Sequence, residues 1–311
     1  MTDSNANSLV ICGPTASGKT SLGVALALEF RGEILSADSR QVYRGMDIGT
    51  GKDLHAYATT CKEVPYHLID VRDPGDLYTL HQYQRDFYAC FRDVRRRGRL
   101  PVVVGGTGLY IEAVLRRYRI PNVPEDRELR RSLMRESAEG LLLHLKTLDP
   151  ALYRTTDTGS KKRVVRSLEI ALYGRDHTIT WSDENPPRID PLVLGIRWPR
   201  GELHERIDRR LRQRLDQGMI GEVERILRGG VPRERFDLFG MEYRHVASYL
   251  DGAVSFQEMV CNLRRAIYQL AKRQETWFRG MQRRGIPIHW VDRADMDAAR
   301  LIVRSAGFSA A

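Results

Sequence analysis

Short runs of aliphatic and β-branched residues recur along the chain, separated by longer amphipathic stretches. The runs are Leu9-Val10-Ile11-Cys12, Glu33 to Ala37, His67 to Val71, Pro101 to Val104, Leu192 to Ile196 and Ile286 to Val291. Runs this short read as strands, and strands alternating with helical patterns read as βαβ units, so the pattern predicts a mostly parallel sheet flanked by helices. Leu22 to Phe30 predicts one helix. Leu203, Ile207, Leu211 and Leu215 give a second helix one apolar face, with Arg206, Arg209, Arg210, Arg212 and Arg214 on the rest. Ser255 and Glu258 stand at capping-box spacing ahead of Met259, Leu263, Ala266, Ile267 and Leu270, which predicts a third helix reaching about Phe278.

The alternation breaks between about Ile120 and Arg188, a stretch that opens with IPNVPED, carries amphipathic helical patterns and closes at Asn185-Pro186-Pro187. Proline punctuation at both ends predicts a helical insertion domain, residues 120–188, within an α/β core made of residues 1–119 and 189–311. There is no internal repeat and no low-complexity tract.

Length agrees with this division, since 311 residues correspond to roughly two domains. A hydrophobic share of 42% excludes a disordered chain. The longest apolar runs, such as Leu100 to Val104, fall far short of the roughly 18 residues of a membrane span. The opening MTDSNANSLV has neither a basic segment nor a long apolar one, so a cytoplasmic, non-exported protein is expected. Cys12, Cys61, Cys90 and Cys261 form no CxxC pair, which predicts reduced thiols and neither a zinc site nor a disulfide framework. Lys and Arg number 50 against 40 Asp and Glu, a net charge of +10, with clusters at Arg95-Arg96-Arg97 and Lys161-Lys162-Arg163. Charge alone leaves two readings open, a polyanionic partner or a solvated basic face.

The sharpest chemical signal is Gly13-Pro14-Thr15-Ala16-Ser17-Gly18-Lys19-Thr20, which satisfies GxxxxGK[ST] between a predicted strand and a predicted helix. Such a P-loop cradles phosphate with backbone N–H groups and a helix N-terminus, Lys19 adds a point charge, and Thr20 can ligate Mg²⁺. The motif shows diphosphate or triphosphate binding and does not show hydrolysis. NTPases and kinases are its commonest owners, yet the strand at Pro101 to Val104 runs into Gly105-Gly106-Thr107-Gly108 with no carboxylate where a nucleotide hydrolase often carries one. Instead the Glu33 to Ala37 strand delivers Asp38 at its carboxyl end, the edge on which open parallel sheets build their sites. Asp38 reads as a reacting carboxylate or as a turn aspartate, and Asp70 is a second candidate, near a magnesium ion.

In chain order, GPTASGKT (13–20), SADSRQVYRGMDIGT (36–50), HLIDVRDP (67–74), PVVVGGTGLY (101–110), KRVVRSLEI (162–170) and AKRQETWFR (271–279) resemble the tRNA dimethylallyltransferase, or IPP transferase, family over nearly the whole chain. The resemblance implies a P-loop NTPase-like core and transfer of the dimethylallyl group of dimethylallyl diphosphate to N6 of the adenosine 3′ of the anticodon, tRNA position 37. It implies that residues 13–20 hold the diphosphate, with Mg²⁺ on Thr20. Asp38 then acts as general base, Thr107 stands near the reacting centre, and Arg210 neutralises the leaving group. For tRNA contacts it implies Asp38, Ser39, Arg40 and Gln41 beside the flipped base, and Lys162, Arg163, Val164, Val165 and Arg166 in an insertion that grips the anticodon stem-loop. The KRQETWFR segment (272–279) is implied to help line the tunnel, with Trp277 and Phe278 expected in the core. A monomer of the bacterial type, without the eukaryotic zinc-finger extension, is implied as well.

The rival readings are an adenylate isopentenyltransferase acting on free AMP, ADP or ATP, a small-molecule kinase, and a non-catalytic RNA-binding module. The basic helix in the insertion favours tRNA over a free nucleotide. Three departures stand out: Glu242 where many relatives have glycine, Arg214 where methionine is common, and GTGKD at 49–53 where GTAKP is usual. None falls on the P-loop, Asp38, Thr107 or Arg210, so they are expected to alter RNA contacts and leave the chemistry intact.

Overall fold

The computed structural model describes residues 6–58, 63–183 and 185–310. Two compact units emerge, residues 1–118 with 186–311, and residues 119–185. The larger unit is built on a six-stranded sheet of β1 (Ser8–Cys12), β2 (Gly32–Ser36), β3 (Tyr66–His67), β4 (Leu100–Gly105), β5 (Pro191–Arg197) and β6 (His289–Asp292), in the order β3-β2-β4-β1-β5-β6. Every pairing is parallel, with Val10 opposite Val103 on one side and Val193 on the other.

The helices of this unit are α1 (Lys19–Glu29), α2 (Leu80–Arg96) and α3 (Gly108–Leu115) before the smaller unit. The smaller unit contributes α4 (Arg127–Leu133), α5 (Ala138–Leu148), α6 (Pro150–Thr155) and α7 (Lys161–Asp176). After it come α8 (Arg200–Asp216), α9 (Met219–Arg228), α10 (Phe236–Phe239), α11 (Met241–Leu250), α12 (Phe256–Arg283) and α13 (Met296–Ser305).

The strands are apolar on both faces because both faces are covered. Leu9 and Ile11 share an apolar layer with Leu22 and Leu26 of α1 and Val303 of α13. Their neighbours Val10 and Cys12 point the other way, into a layer with Phe87 of α2, Ile111 of α3 and Leu263 of α12. The Ser255–Glu258 capping box starts α12, which runs on to Arg283. Bidentate pairing of Arg284 with the buried Glu112, 2.6 Å for each bond, ties its far end to α3.

Two strands are shorter than their hydrophobic runs. β3 ends at His67 because Leu68 and Asp70 adopt left-handed backbone, and the following amides bond elsewhere: Asp70 N to Gln41 O and Val71 N to Val42 O. β6 begins only at His289. Gly285 at φ +92° turns the chain out of α12, and the Ile286 amide bonds back to Met281 O, so the first residues of the run form the helix exit.

In the smaller unit, Leu133, Leu141, Leu145, Val164, Val165 and Leu168 form a separate core. Its one buried carboxylate among the described residues, Glu169, accepts from the Asp126 amide at 2.7 Å and from Arg130 at 3.1 and 2.8 Å, and pairs with Arg166. Cys12, Cys90 and Cys261 are free thiols, and Cys61 lies outside the described residues.

Candidate active site

The loop leaving β1 turns with Ala16 at φ 61° and Gly18 at φ 93°, directly before α1. Its carbonyls are held from outside: Lys19 Nζ donates to Pro14 O at 2.7 Å, Arg206 Nε to Ala16 O at 2.8 Å and Trp198 Nε1 to Ser17 O at 3.0 Å. The Arg206 guanidinium also lies over the Trp198 ring, 4.3 Å from its centre. With the carbonyls turned outward and the first-turn amides of α1 lacking helical partners, the loop offers donors, and the Ser17 hydroxyl is buried without a partner among the described residues. Burial, and then the nearby Arg210 cation, lower the Lys19 amine to about 8, with Asp38 acting in the opposite direction. An ammonium held below its ordinary pKa recovers it when an anion arrives.

β2 delivers Asp38 one residue past Ala37. One carboxylate oxygen accepts the Arg40 amide at 2.9 Å, and the other has no protein partner among the described residues. The Thr107 hydroxyl accepts the Ser39 amide at 3.0 Å, while the Thr107 amide donates to Ala37 O at 3.1 Å. The GGTG segment is glycine-rich because other groups crowd it. A Cβ on Gly105 would lie 2.1 Å from Ala37 O, one on Gly106 2.4 Å from Gln274 Nε2, and one on Gly108 2.2 Å from the Trp277 ring. Gln274 clamps both loops, accepting the Thr15 amide at 2.8 Å and donating to Gly106 O at 2.9 Å.

A third loop, residues 47–53, is pinned from below. The buried Glu222 carboxylate accepts the amides of Asp47, Ile48 and Gly49 at 2.9, 2.8 and 2.9 Å and the Tyr243 hydroxyl at 2.6 Å. Fully buried Lys52 donates to Tyr43 O at 2.7 Å and pairs with Asp47 at 2.6 Å and with Asp70. Asp70 therefore braces this loop and is absent from the lining of the cavities described next. Gln41 is buried too, donating to Gly51 O at 3.2 Å.

Two cavities open here, of about 620 and 440 Å³. Lys19, Thr20, Arg210 and Arg214 line both, so the cavities adjoin at the phosphate loop. The smaller also takes in Asp38, Thr107 and Gln274, and the larger takes in Ala16 to Gly18 and Arg206.

The structure thus brings Thr15, Lys19, Thr20, Asp38, Ser39, Arg40, Gln41, Thr107 and Arg210 around one hollow. Gly13 and Pro14 stand behind it, Gly13 against Ile196 of β5. Phe278 is core, but Trp277 differs from its expected place and lines the smaller cavity over Gly108. In the smaller unit Lys162 and Arg163 are exposed on α7, Arg163 paired with Asp157, whereas Arg166 is tied to Glu169 and donates to Val123 O at 2.9 Å. Val164 and Val165 correct the sequence expectation of RNA contact: they are 2% and 3% exposed in the core of that unit, because α7 turns them onto Leu141 and Leu145.

Arg206, Trp198, Gln274 and Glu222 carry the geometry and escape sequence reasoning. Arg206 and Gln274 sit inside segments already singled out, but the carbonyl or amide each one holds comes from a residue far along the chain. The departures lie beside the site. Asp53 accepts from Arg210 at 2.7 Å, Arg214 and Glu242 face each other at 3.5 Å, and all line the cavities.

A parallel sheet with a glycine-rich loop between β1 and α1, and a carboxylate in the loop that follows β2, two strands away across β4, defines a P-loop-like α/β protein. The model of the IPP transferase family matches residues 41–281, and the chain belongs to that family. It is 51% identical over 289 residues to tRNA dimethylallyltransferase 1 of Geotalea uraniireducens, covering 93% of both chains. It is 52% identical over 286 residues to tRNA dimethylallyltransferase 2 of Pelobacter propionicus, covering 92% of this chain and 90% of that one. Among solved structures it is similar to the tRNA isopentenylpyrophosphate transferase of Bacillus halodurans, with a TM-score of 0.68 at 33% identity, covering 97% of this chain and 95% of that one. A eukaryotic dimethylallyltransferase acting on tRNA shares the fold, with a TM-score of 0.74 at 22% identity, covering 98% of this chain and 79% of that one.

Proposed function

We propose that the protein transfers the dimethylallyl group of dimethylallyl diphosphate to N6 of the adenosine 3′ of the tRNA anticodon. The observation that carries the reading is Asp38 lining one cavity with Lys19 and Thr20 of the phosphate loop. Relatives named for this activity, alike over more than nine-tenths of the chain, support it over the free-nucleotide alternative.

The diphosphate lies against the donors of residues 13–20, with Lys19 and Arg210 on its oxygens. The adenine leaves the anticodon-loop stack, a step costing a few kcal/mol, and enters the Asp38 cavity. As the new bond forms between N6 and C1 of the prenyl group, the C1–O bond breaks and diphosphate departs with the electron pair. The exocyclic nitrogen grows acidic only as it is alkylated, and the unpartnered Asp38 oxygen takes its proton. Lys19 and Arg210 oppose the charge gathering on the leaving oxygens. The Thr107 hydroxyl fixes the Ser39 amide and so the turn that presents Asp38.

The half-buried Thr20 hydroxyl, lining both cavities with Asp38 on the smaller one, offers the hard oxygen donors that suit Mg²⁺. When bound, the ion supplies charge neutralisation at the diphosphate. Lys162 and Arg163, exposed on α7, are proposed to contact the anticodon stem-loop. The same reading takes the protein to act as a monomer in the cytoplasm.

Purified protein incubated with Mg²⁺ and labelled dimethylallyl diphosphate, with unmodified tRNA and AMP offered in parallel, tests the reading. Label in tRNA at the base 3′ of the anticodon supports it, and label only in AMP overturns the choice of acceptor.

A further inference from the structure

Arg210 does not stand alone beside the phosphate loop. One helical turn along α8, Arg214 is buried, with its side chain 9% exposed, Nη1 bonded to Gly49 O at 3.2 Å and facing Glu242 Oε1 at 3.5 Å, and Nε without a partner among the described residues. On its other side Arg210 Nη2 reaches Gly51 O at 3.2 Å and Asp53 Oδ2 at 2.7 Å. The two guanidinium groups meet over Gly51. A Cβ built there would lie 1.7 Å from Arg214 Nη2 and 2.5 Å from Arg210 Nη2, and the φ of +63° also favours glycine.

Two cations packed over one Cα repel, and here a carboxylate flanks each: Asp53 on Arg210 and Glu242 on Arg214. Burial, followed by the Arg210 charge, lowers Arg214 to about 10, and burial pushes the Glu242 carboxyl up against the pull of Arg214. Neither buried group is comfortable without the other. The members Gly51, Asp53, Arg214 and Glu242 are also the departures noted in the sequence, so residues scattered between positions 51 and 242 prove to be a single contiguous set.

We propose that Gly51, Asp53, Arg214 and Glu242 are a co-adapted set of positioning residues that aims Arg210 at the leaving diphosphate and hands it over from Asp53 when the anion arrives. This rests on the diphosphate role given above to Arg210. Gly51 makes room, Arg214 blocks retreat of Arg210 along α8, Glu242 balances Arg214, and Asp53 holds Arg210 until a stronger anion displaces it. The exchange keeps a guanidinium paired before and after transfer.

The test is a double-mutant cycle on the full-length protein with Arg214→Met, Glu242→Gly and both together, reading kcat, KM for dimethylallyl diphosphate and Kd for inorganic diphosphate. Each single variant strands a buried charge and should lower kcat/KM by about tenfold or more, while the double should return to within about threefold of the parent. Effects that simply multiply overturn the proposal. Because the single variants can lose stability, Asp53→Asn, on the solvent side, gives an independent readout. Freed of its competitor, Arg210 should hold inorganic diphosphate roughly fivefold tighter while kcat falls as product leaves more slowly, a split that general loss of folding does not produce. Unchanged or weaker diphosphate binding in Asp53→Asn also overturns the proposal. Arg210→Ala is the control for the underlying reading: if it changes neither diphosphate binding nor turnover, the role of Arg210 itself fails.

Discussion

Thr107 and Ser39 are joined across the two strand ends that frame the cavity, the threonine hydroxyl accepting the serine amide at 3.0 Å. The bond fixes the residue immediately after Asp38 to the loop leaving β4. Thr107→Ala removes the acceptor, and an orphaned, partly buried amide costs about 1–3 kcal/mol. Thr107→Ala and the isosteric Thr107→Val should both lower kcat by about tenfold to a hundredfold, with Thr107→Ser near the parent. Single-turnover rates with saturating tRNA check this, and a fully active valine variant would remove the hydroxyl from the reaction.

Asp38→Asn keeps the acceptor for the Arg40 amide but not the basic oxygen. Transfer should fall by about a thousandfold or more while tRNA affinity stays within a factor of about two. Filter binding and product formation on the same preparation separate the effects. Appreciable residual transfer would assign the proton to another acceptor.

Lys19, lowered to about 8, makes diphosphate capture sensitive to pH. The cationic form binds, so kcat/KM for the prenyl diphosphate should be level below about pH 8 and fall about tenfold per unit above it. Stability moves the other way. The amine holds its proton more weakly folded than unfolded, so this group's contribution to stability rises with pH from about 8 towards its ordinary value. Lys19→Arg should flatten the activity profile over this range, and a break that persists would belong to a different group.

Lys162 and Arg163 are exposed on α7. Replacing both with alanine should weaken tRNA binding by about tenfold and reduce the salt dependence by about two counterions, with the melting temperature unchanged. Titrations at several salt concentrations decide this, since an unaltered slope would mean that these cations only face solvent.

Glu169 gathers Arg130, Arg166 and the Asp126 amide. Burial raises its carboxyl, but the bonds from Arg130 and Arg166 outweigh that and hold it below the usual range. The stabilisation is therefore present above the ordinary carboxylate pKa and lost as pH falls through the lowered one. Glu169→Ala removes the partner that Arg130 and Arg166 share and orphans the Asp126 amide, and should cost the 119–185 unit about 1–3 kcal/mol. Hydrogen exchange of α5 and α7 reports it directly, and unchanged protection would assign the unit's stability to its leucine core alone.

Periodicity and punctuation made the sheet legible, because strands buried on both faces must be apolar throughout and the phosphate loop must follow one of them. It failed where tertiary bonds override local pattern: the run at 67–71 leaves β2 because the Asp70 and Val71 amides are taken by residues 41 and 42. Lys19, Thr20 and Asp38 could be picked out from the phosphate-loop spacing and a strand's carboxyl end, Thr107 and Arg210 only from the family resemblance, and all five line one cavity. Val164 and Val165 were carried into the contact set with their basic segment, although helical spacing already sets them opposite Lys162, Arg163 and Arg166, on the face that α7 packs. Gln274 and Glu222 were hidden because a lone polar residue in a helix shows its role only through partners brought from elsewhere.

The loop of residues 47–49 hangs on a carboxylate that lies 173 to 175 positions further along the chain. During synthesis β1, β2 and β4 leave the ribosome long before α9, and the three amides that Glu222 will satisfy remain uncommitted through the making of α3 to α8. This wall of the acceptor pocket thus sets only once α9 has been made, and a nascent chain interrupted before Glu222 carries a phosphate loop with an unfinished wall.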